Sequence, residues 1–258
     1  MIEVALVSRN TILTYLNKLL KPNLFQDYVP NGLQVEGRIN IKKLITGVTA
    51  SQDLLKVALN AKADAILVHH GYFWRNEKAP IIGMKKARLK LLLEHDINLF
   101  AYHLPLDAHP EFGNNAQLGI KLNIQITGTF AKSNKMPSIG NVGQLHMPCQ
   151  GKILKERITT VLEREPLYIP GKVNTIKKVA WSTGMGQSKI DSAVECGVDA
   201  YITGEVSEST VHIAKESGIH FFSAGHHATE RYGVQAIGVH LAKKFNISHA
   251  FIDMLNPV

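Results

Sequence analysis

The chain has 258 residues, of which 45% are hydrophobic and 19% charged, a balance that fits a folded globular protein and excludes a disordered one. Its length suits one large domain or two of roughly half that size. The formal net charge of +8 is compatible with an anionic ligand such as a nucleotide. The lysines are scattered rather than gathered into one run, so solvated surface charge is the first expectation and a nucleic-acid partner the lesser one.

The opening stretch MIEVALVSRN lacks a basic region, and Glu3 interrupts its apolar residues, so no secretory signal is expected. No apolar run approaches the roughly 18 to 20 residues a membrane helix needs, and the cytoplasm is the expected location. TILTYLNKLL (11–20) carries apolar residues at helical spacing. KKLITGVTA (42–50) predicts a strand and turn, SQDLLKVALNAKAD (51–64) an amphipathic helix capped by Ser51, and AILV (65–68) a second strand. KARLKLLLEHD (86–96) predicts a helix, and INLFAYH (97–103) a third strand. Short apolar strands joined by helices indicate a parallel sheet and an α/β class. Cys149 and Cys196 stand outside any CxxC or Cys/His spacing and predict isolated thiols in a reducing compartment.

The second half repeats the order of elements and some of the letters. ILTYLNKLL is answered by ILKERITTVL (153–162), and KKLITGVTASQDLLKVA by KKVAWSTGMGQSKIDSA. Lys43 then matches Lys178 and Gln52 matches Gln187 at an offset of 135. AKADAILVHHG is answered by ECGVDAYITGE in the same register, so Asp64 meets Asp199 and His70 meets Glu205. HDINLFAYHLPLD is answered by SGIHFFSAGHHATE at an offset of 123, aligning His103 with His226 and Asp107 with Glu230. Matched register goes beyond shared rhythm and predicts a duplication. Two related α/β lobes are expected, 1–124 and 125–258, with 123–150 as a connecting segment of irregular chain or short strands.

Ligands of open α/β sheets bind beyond the carboxyl ends of the strands. His69, His70, His103, Asp107, His226 and Glu230 all fall there, which predicts a metal cleft between the lobes at those strand ends. Imidazole and carboxylate suit zinc, iron, manganese or nickel. Six such groups exceed what one ion needs, so two divalent ions are expected, polarising a shared water. The pair His69–His70 alone would more simply be a satisfied or surface pair. Pro105 and Pro110 make the His103–Asp107 segment a loop in this reading. A helix starting just after Gly225 places His226 and Glu230 on one face and turns His227 aside, although Glu230 could equally face the helix dipole.

Three further stretches stand out. STGMGQSK (182–189) is a glycine turn that either receives phosphate on its N–H groups or simply needs glycine. NGLQVEG (31–37) predicts a turn with exposed amide side chains, and GYFW (71–74) either lines a pocket for a flat base or packs inside.

Taken together, NGLQVEG, LVHHGYFW, YHLPLDAHPEFGNNAQLG, TGE (203–205) and SAGHHATERYGV resemble the GTP cyclohydrolase 1 type 2 family, also called NIF three-like, with its YbgI-like dinuclear metal proteins. The resemblance spans nearly the whole chain. It implies two α/β lobes, a dinuclear centre in the cleft between them, and a toroidal homohexamer built from trimers. It places His69, His70, Asp107, His226 and Glu230 on metal-ligand positions and His103 beside them, as a ligand or a support. The family name implies hydrolytic opening of a guanine ring, and a nucleotide-directed hydrolase is the expected function. A metal-binding hexameric scaffold or regulatory protein without turnover, and a two-metal phosphoesterase, are the alternatives.

Overall fold

The computed structural model describes residues 6–131 and 136–258. Residues 1–5, part of the stretch inspected for a secretory signal, and 132–135, inside the expected connecting segment, lie outside the described residues.

The chain begins with β1 (Val7–Ser8) and α1 (Arg9–Leu20), where Ser8 Oγ caps the helix by accepting from Thr11 N at 3.0 Å. Then come β2 (Gly32–Val35), β3 (Asn40–Ile41), β4 (Lys43–Thr49), α2 (Gln52–Asn60), β5 (Ala65–His70), α3 (Gly83–Glu94) and β6 (Asn98–Ala101). Ser51 caps α2 as its sequence predicts, accepting from Leu54 N. The middle of the chain forms α4 (Leu104–Ala108), α5 (Asn114–Lys121), β7 (Ile124–Phe130), β8 (Gly140–Cys149), α6 (Gly151–Leu162), β9 (Leu167–Ile169) and β10 (Ile176–Ser182). The last third forms α7 (Ile190–Glu195), β11 (Ala200–Thr203), α8 (Glu208–Ser217), β12 (His220–Ser223), α9 (His226–Phe245) and β13 (Ser248–Phe251). Among the described residues no helix is long and apolar enough to cross a membrane.

Two compact units result. The first runs to Leu106 and takes in Val234–Met254. Its main sheet has the order β13-β4-β5-β6-β2, with β2 antiparallel at one edge and the other neighbours parallel. Ile45, Ile66, Val68 and Leu99 pack on one face against Leu54 of α2 and Leu89 and Leu92 of α3. Burying a side chain of this size contributes roughly 1.5–3 kcal/mol.

The second unit comprises Asp107–Gly233 and Leu255–Val258. Its sheet has the order β7-β8-β10-β11-β12-β9, and only β10, β11 and β12 run parallel. Trp181, Val179, Ile202 and Phe222 pack with Leu154, Ile158 and Leu162 of α6. Tyr201 and Phe221 form the opposite core with Ile190 and Ala214. Covering both faces explains why these strands are apolar without alternation.

The repeat seen in the sequence is a repeat in space. In the first unit the Asp64 carboxylate accepts from Lys42 N and Lys43 N at 2.8 and 2.9 Å. In the second, Asp199 accepts from Lys177 N and Lys178 N at 2.8 Å each. The two units thus share a block of three parallel strands flanked by an antiparallel edge strand, β4-β5-β6-β2 and β10-β11-β12-β9, and the protein is α/β with two related lobes.

Three sequence expectations are corrected. The boundary expected after 124 falls elsewhere, because β13 pairs with β4 and the first unit ends at Leu106 before taking up Val234–Met254. The expected connecting segment instead supplies β7 and β8, a long antiparallel pair within the second sheet. Leu104–Ala108 is a short helix rather than a loop, since Pro105 stands at its second residue, where a missing N–H costs no helical bond.

Candidate metal centre

In the first unit, β5 extends through both histidines before Gly71, so neither ring is released by an early strand end. Pairing with β6 stops at Val68, whereas pairing with β4 continues to His70 opposite Thr49. The two rings are held from different sides. His69 Nδ1 is 3.0 Å from the Tyr102 carbonyl and His70 Nδ1 is 3.1 Å from Thr49 Oγ1. Their ring centroids still lie only 4.5 Å apart, with His103 4.9 Å from His69 and 5.7 Å from His70. His103 Nδ1 bonds Asp27 Oδ1 at 2.7 Å.

Those Nδ1 partners decide the tautomers. A carbonyl only accepts, so His69 donates through Nδ1–H and its Nε2 keeps the lone pair. Facing the Asp27 carboxylate, His103 does the same. Burial would raise the pKa of Asp27, but the bond and charge of His103, with bonds from Asn31 and the Leu104 N–H, outweigh it and hold the carboxyl below its usual range. His69, His70 and His103 each offer one ligand nitrogen, and these nitrogens lie within 4.8 Å of one another. Imidazoles anchored at one nitrogen with a neighbouring ligand atom at the other are the donor set of a transition-metal site, so the residues fit a metal.

NGLQVEG is part of this scaffold. Asn31 Oδ1 accepts from His103 N at 2.7 Å, and its Nδ2 donates to Asp27 Oδ2 at 2.9 Å. Gln34 grips the loop after the histidines, accepting from Tyr72 N and donating to the Tyr72 carbonyl. The amides expected to be exposed are half-buried and employed.

The second unit gathers Asp107, His226 and Glu230. Gly225, at φ +97°, lets α9 begin at His226. His226 Nε2 and Glu230 Oε2 then stand 3.1 Å apart, four residues along one face, while His227 is turned aside and buried. His226 Nδ1 is 2.6 Å from Glu205 Oε1. Burial alone would lower the His226 pKa, but the Glu230 and Glu205 carboxylates raise it to about 9. Asp107 and Glu230 are only 6% and 3% exposed. Asp107 Oδ1 accepts from Asn114 Nδ2 at 2.9 Å and Thr183 Oγ1 at 3.3 Å. Lys189 lies within charge range of both carboxylates and donates to Ser182 Oγ, and burial lowers its pKa. Two buried carboxylates and an imidazole are also a metal-compatible set.

The glycine turn 182–189 is built into this set through its backbone. Thr183 N donates to Asn115 Oδ1, Gly184 N to Thr229 Oγ1 and Gly186 N to Thr203 Oγ1, so these donors are already engaged. Gly184 has φ +62°, and a Cβ there would lie 2.0 Å from Glu230 Oε1. Glycine is required because the carboxylate occupies that space.

Each predicted ligand therefore sits with others of its own unit: His69, His70 and His103 in the first, Asp107, His226 and Glu230 in the second. Sequence reasoning missed Asp27, Thr49, Thr183, Asn114 and Lys189. Glu205 was visible only as the counterpart of His70 in the repeat. Asp27 left no signal beyond being an acid four residues before Asn31.

Comparison with known proteins identifies the family. The family model described as Duf34/NIF3 (NGG1p interacting factor 3) matches residues 7–257. A Yersinia pestis protein named GTP cyclohydrolase 1 type 2 homolog is 53% identical over 245 residues, covering 95% of this chain and 97% of its own. A Haemophilus influenzae protein of the same name is 54% identical over 243 residues, covering 94% and 96%. Among solved structures, protein ybgI, described as of unknown function, is similar at a TM-score of 0.93 and 48% identity, covering 98% of this chain and 100% of its own. A family model that spans residues 7–257, with relatives this similar along nearly the whole length, means that the chain belongs to the Duf34/NIF3 family.

Proposed function

We propose that the protein is a metal-dependent hydrolase acting on a nucleotide or nucleotide-derived substrate, and that the two ligand sets together hold two divalent ions. The observation that carries the reading is the anchored imidazole cluster, three histidines held through Nδ1 with ligand nitrogens within 4.8 Å of one another. Each set alone is lopsided. The first offers imidazoles without a carboxylate ligand, and the second offers two buried carboxylates with one imidazole. Pooled, His69, His70, Asp107, His226 and Glu230, with His103 as ligand or support, match the demand of a two-ion centre for both nitrogen donors and charge-neutralising oxygen donors.

Divalent ions bound there supply an activated water and stabilise negative charge that develops on the substrate. The protein's own groups prepare this. Tyr102, Thr49 and Asp27 fix ring orientation through Nδ1, as partners behind metal-bound histidines do. Asn114 and Thr183 hold Asp107, and the glycine at 184 leaves room for Glu230. His226, drawn toward its charged form by two carboxylates, gives up a proton when it ligates. The nucleotide reading draws on the relatives' printed name and on the chain's net positive charge. Assembly as a toroidal homohexamer in the cytoplasm belongs to the same proposal, and light scattering should give six times the chain mass of 28.5 kDa.

Product analysis after loading with zinc, manganese, iron or nickel tests the function. Formate released from GTP supports ring opening, and phosphate or nucleoside release identifies a phosphoesterase. Full metal loading with no turnover of any nucleotide would overturn the hydrolase reading in favour of a metal-binding scaffold.

A further inference from the structure

The loop that follows the histidines divides its aromatic residues sharply. Tyr72 is buried and Phe73 packs against the core of the first unit, whereas Trp74 is half-exposed and belongs to no core cluster. Its indole lies edge-on to His103 with centroids 5.1 Å apart and is 6.0 Å from His70. Tyr28, 52% exposed, approaches His103 from another element at 6.3 Å. The Arg75 guanidinium stands 5.9 Å from the Tyr28 ring centroid and donates to the Asp27 carbonyl at 3.0 Å. Two solvent-facing aromatic rings and a cation therefore border the imidazole cluster.

The loop is rigidly built to hold them. Phe73 has φ +66°, a costly conformation for a bulky residue that persists only where its surroundings enforce it. Glu77 Oε2 enforces it by accepting from both Phe73 N and Trp74 N, at 2.6 and 3.1 Å. Trp74 Nε1 donates to the Gly71 carbonyl at 3.1 Å, which fixes the indole. Simple packing needs neither strain nor an exposed ring.

We propose that Trp74, Tyr28 and Arg75 form the recognition site for a nucleotide, Trp74 and Tyr28 taking the flat base and Arg75 its phosphate, beside the histidines. Aromatic faces accept any base, and an exposed guanidinium matches phosphate. This deepens the hydrolase reading by assigning residues that choose the substrate, and it rests on that reading for the chemistry that follows binding.

The chain has two tryptophans, and Trp181 is fully buried, so quenching of tryptophan fluorescence by a nucleotide reports Trp74. In metal-loaded protein, GTP and GMP should quench, guanosine should quench only at higher concentration, and inorganic phosphate should not. By calorimetry, Trp74→Leu should weaken GTP binding by about tenfold or more, and Trp74→Phe should restore most of it. Arg75→Gln should weaken GTP and GMP while leaving guanosine unchanged. No quenching at millimolar nucleotide, or unchanged GTP affinity in Trp74→Leu, would overturn the assignment. Metal content is measured on the same samples so that the two readings fail separately. Nucleotide binding without turnover removes the hydrolase and keeps this site, whereas turnover with an unaltered KM in Trp74→Leu removes this site and keeps the hydrolase.

Discussion

In the first unit the strand ending at His70 lies beside the one leading to His103. In the second, the counterparts are Glu205, just past β11, and His226 at the start of α9. The positions correspond, yet the pairings do not. His70 and His103 stand as separate rings 5.7 Å apart, while Glu205 and His226 bond directly at 2.6 Å. The carboxylate that anchors an imidazole comes from the repeat position in the second unit and from Asp27, outside the repeat, in the first. One duplicated frame has thus been given a nitrogen-rich set in one copy and an oxygen-rich set in the other. The backbone bonding that fixes the frame, at Asp64 and Asp199, leaves the ligand positions free to differ in residue type.

The sharpest way to break the comparison is at equivalent positions 49 and 184. Thr49 supports His70 with its side chain, whereas Gly184 must have none. Gly184→Ala should displace Glu230 and cost roughly a hundredfold or more in metal affinity, at the upper end of what a disturbed supporting residue costs. Thr49→Ala should cost about tenfold or less. Competition with a chromophoric chelator measures both, and equal losses would contradict the assignment of unlike roles.

Next come the two anchoring carboxylates. Asp27→Asn and Glu205→Gln should each weaken metal binding by roughly ten- to a hundredfold with the fold intact. Circular dichroism beside the affinity measurement separates this from unfolding. A loss in only one of the two would leave the other carboxylate a structural group.

Asp64→Asn and Asp199→Asn should both lower stability, Asp64→Asn somewhat more because Asp64 also pairs with Arg38 at 3.0 Å. Each carboxylate holds two backbone N–H groups of the preceding strand, so each change should cost about 1–3 kcal/mol. Urea denaturation checks this, and a cost in only one of the two variants would break the structural equivalence.

The last contrast is a pH slope expected of the second unit. Because His226 is raised from 6.5 to about 9, the metal-free folded chain binds that proton more tightly than the unfolded chain does. The stabilisation is complete below about pH 6.5 and is lost as pH rises through about 9. The Tm of metal-free protein should therefore fall across that window, and His226→Gln should flatten the fall. An equal slope in the variant would assign it to other groups.

These contrasts also show what the sequence could carry. The repeat was legible because Asp64 and Asp199 do the same backbone work, which fixes both residue type and spacing. The helix face of His226 and Glu230 was legible because Gly225 marks its start. The β7–β8 pair was not, since its Gly, Thr and polar residues lie on a largely exposed sheet edge and lose the apolar signature of a strand. Nor could β13 be assigned to the first sheet, because SHAF reveals nothing of a partner two hundred residues earlier. Asp27 and Lys189 were illegible for a related reason. Their roles arise from proximity that only the fold creates.

The most direct test of the proposed two-ion reading is elemental analysis of wild type, His70→Ala and Glu230→Ala after reconstitution with zinc, manganese and iron. The account predicts about two ions per chain in wild type and the loss of both in either variant. A wild type that binds none, or variants that each keep the ion of the untouched unit, would contradict it.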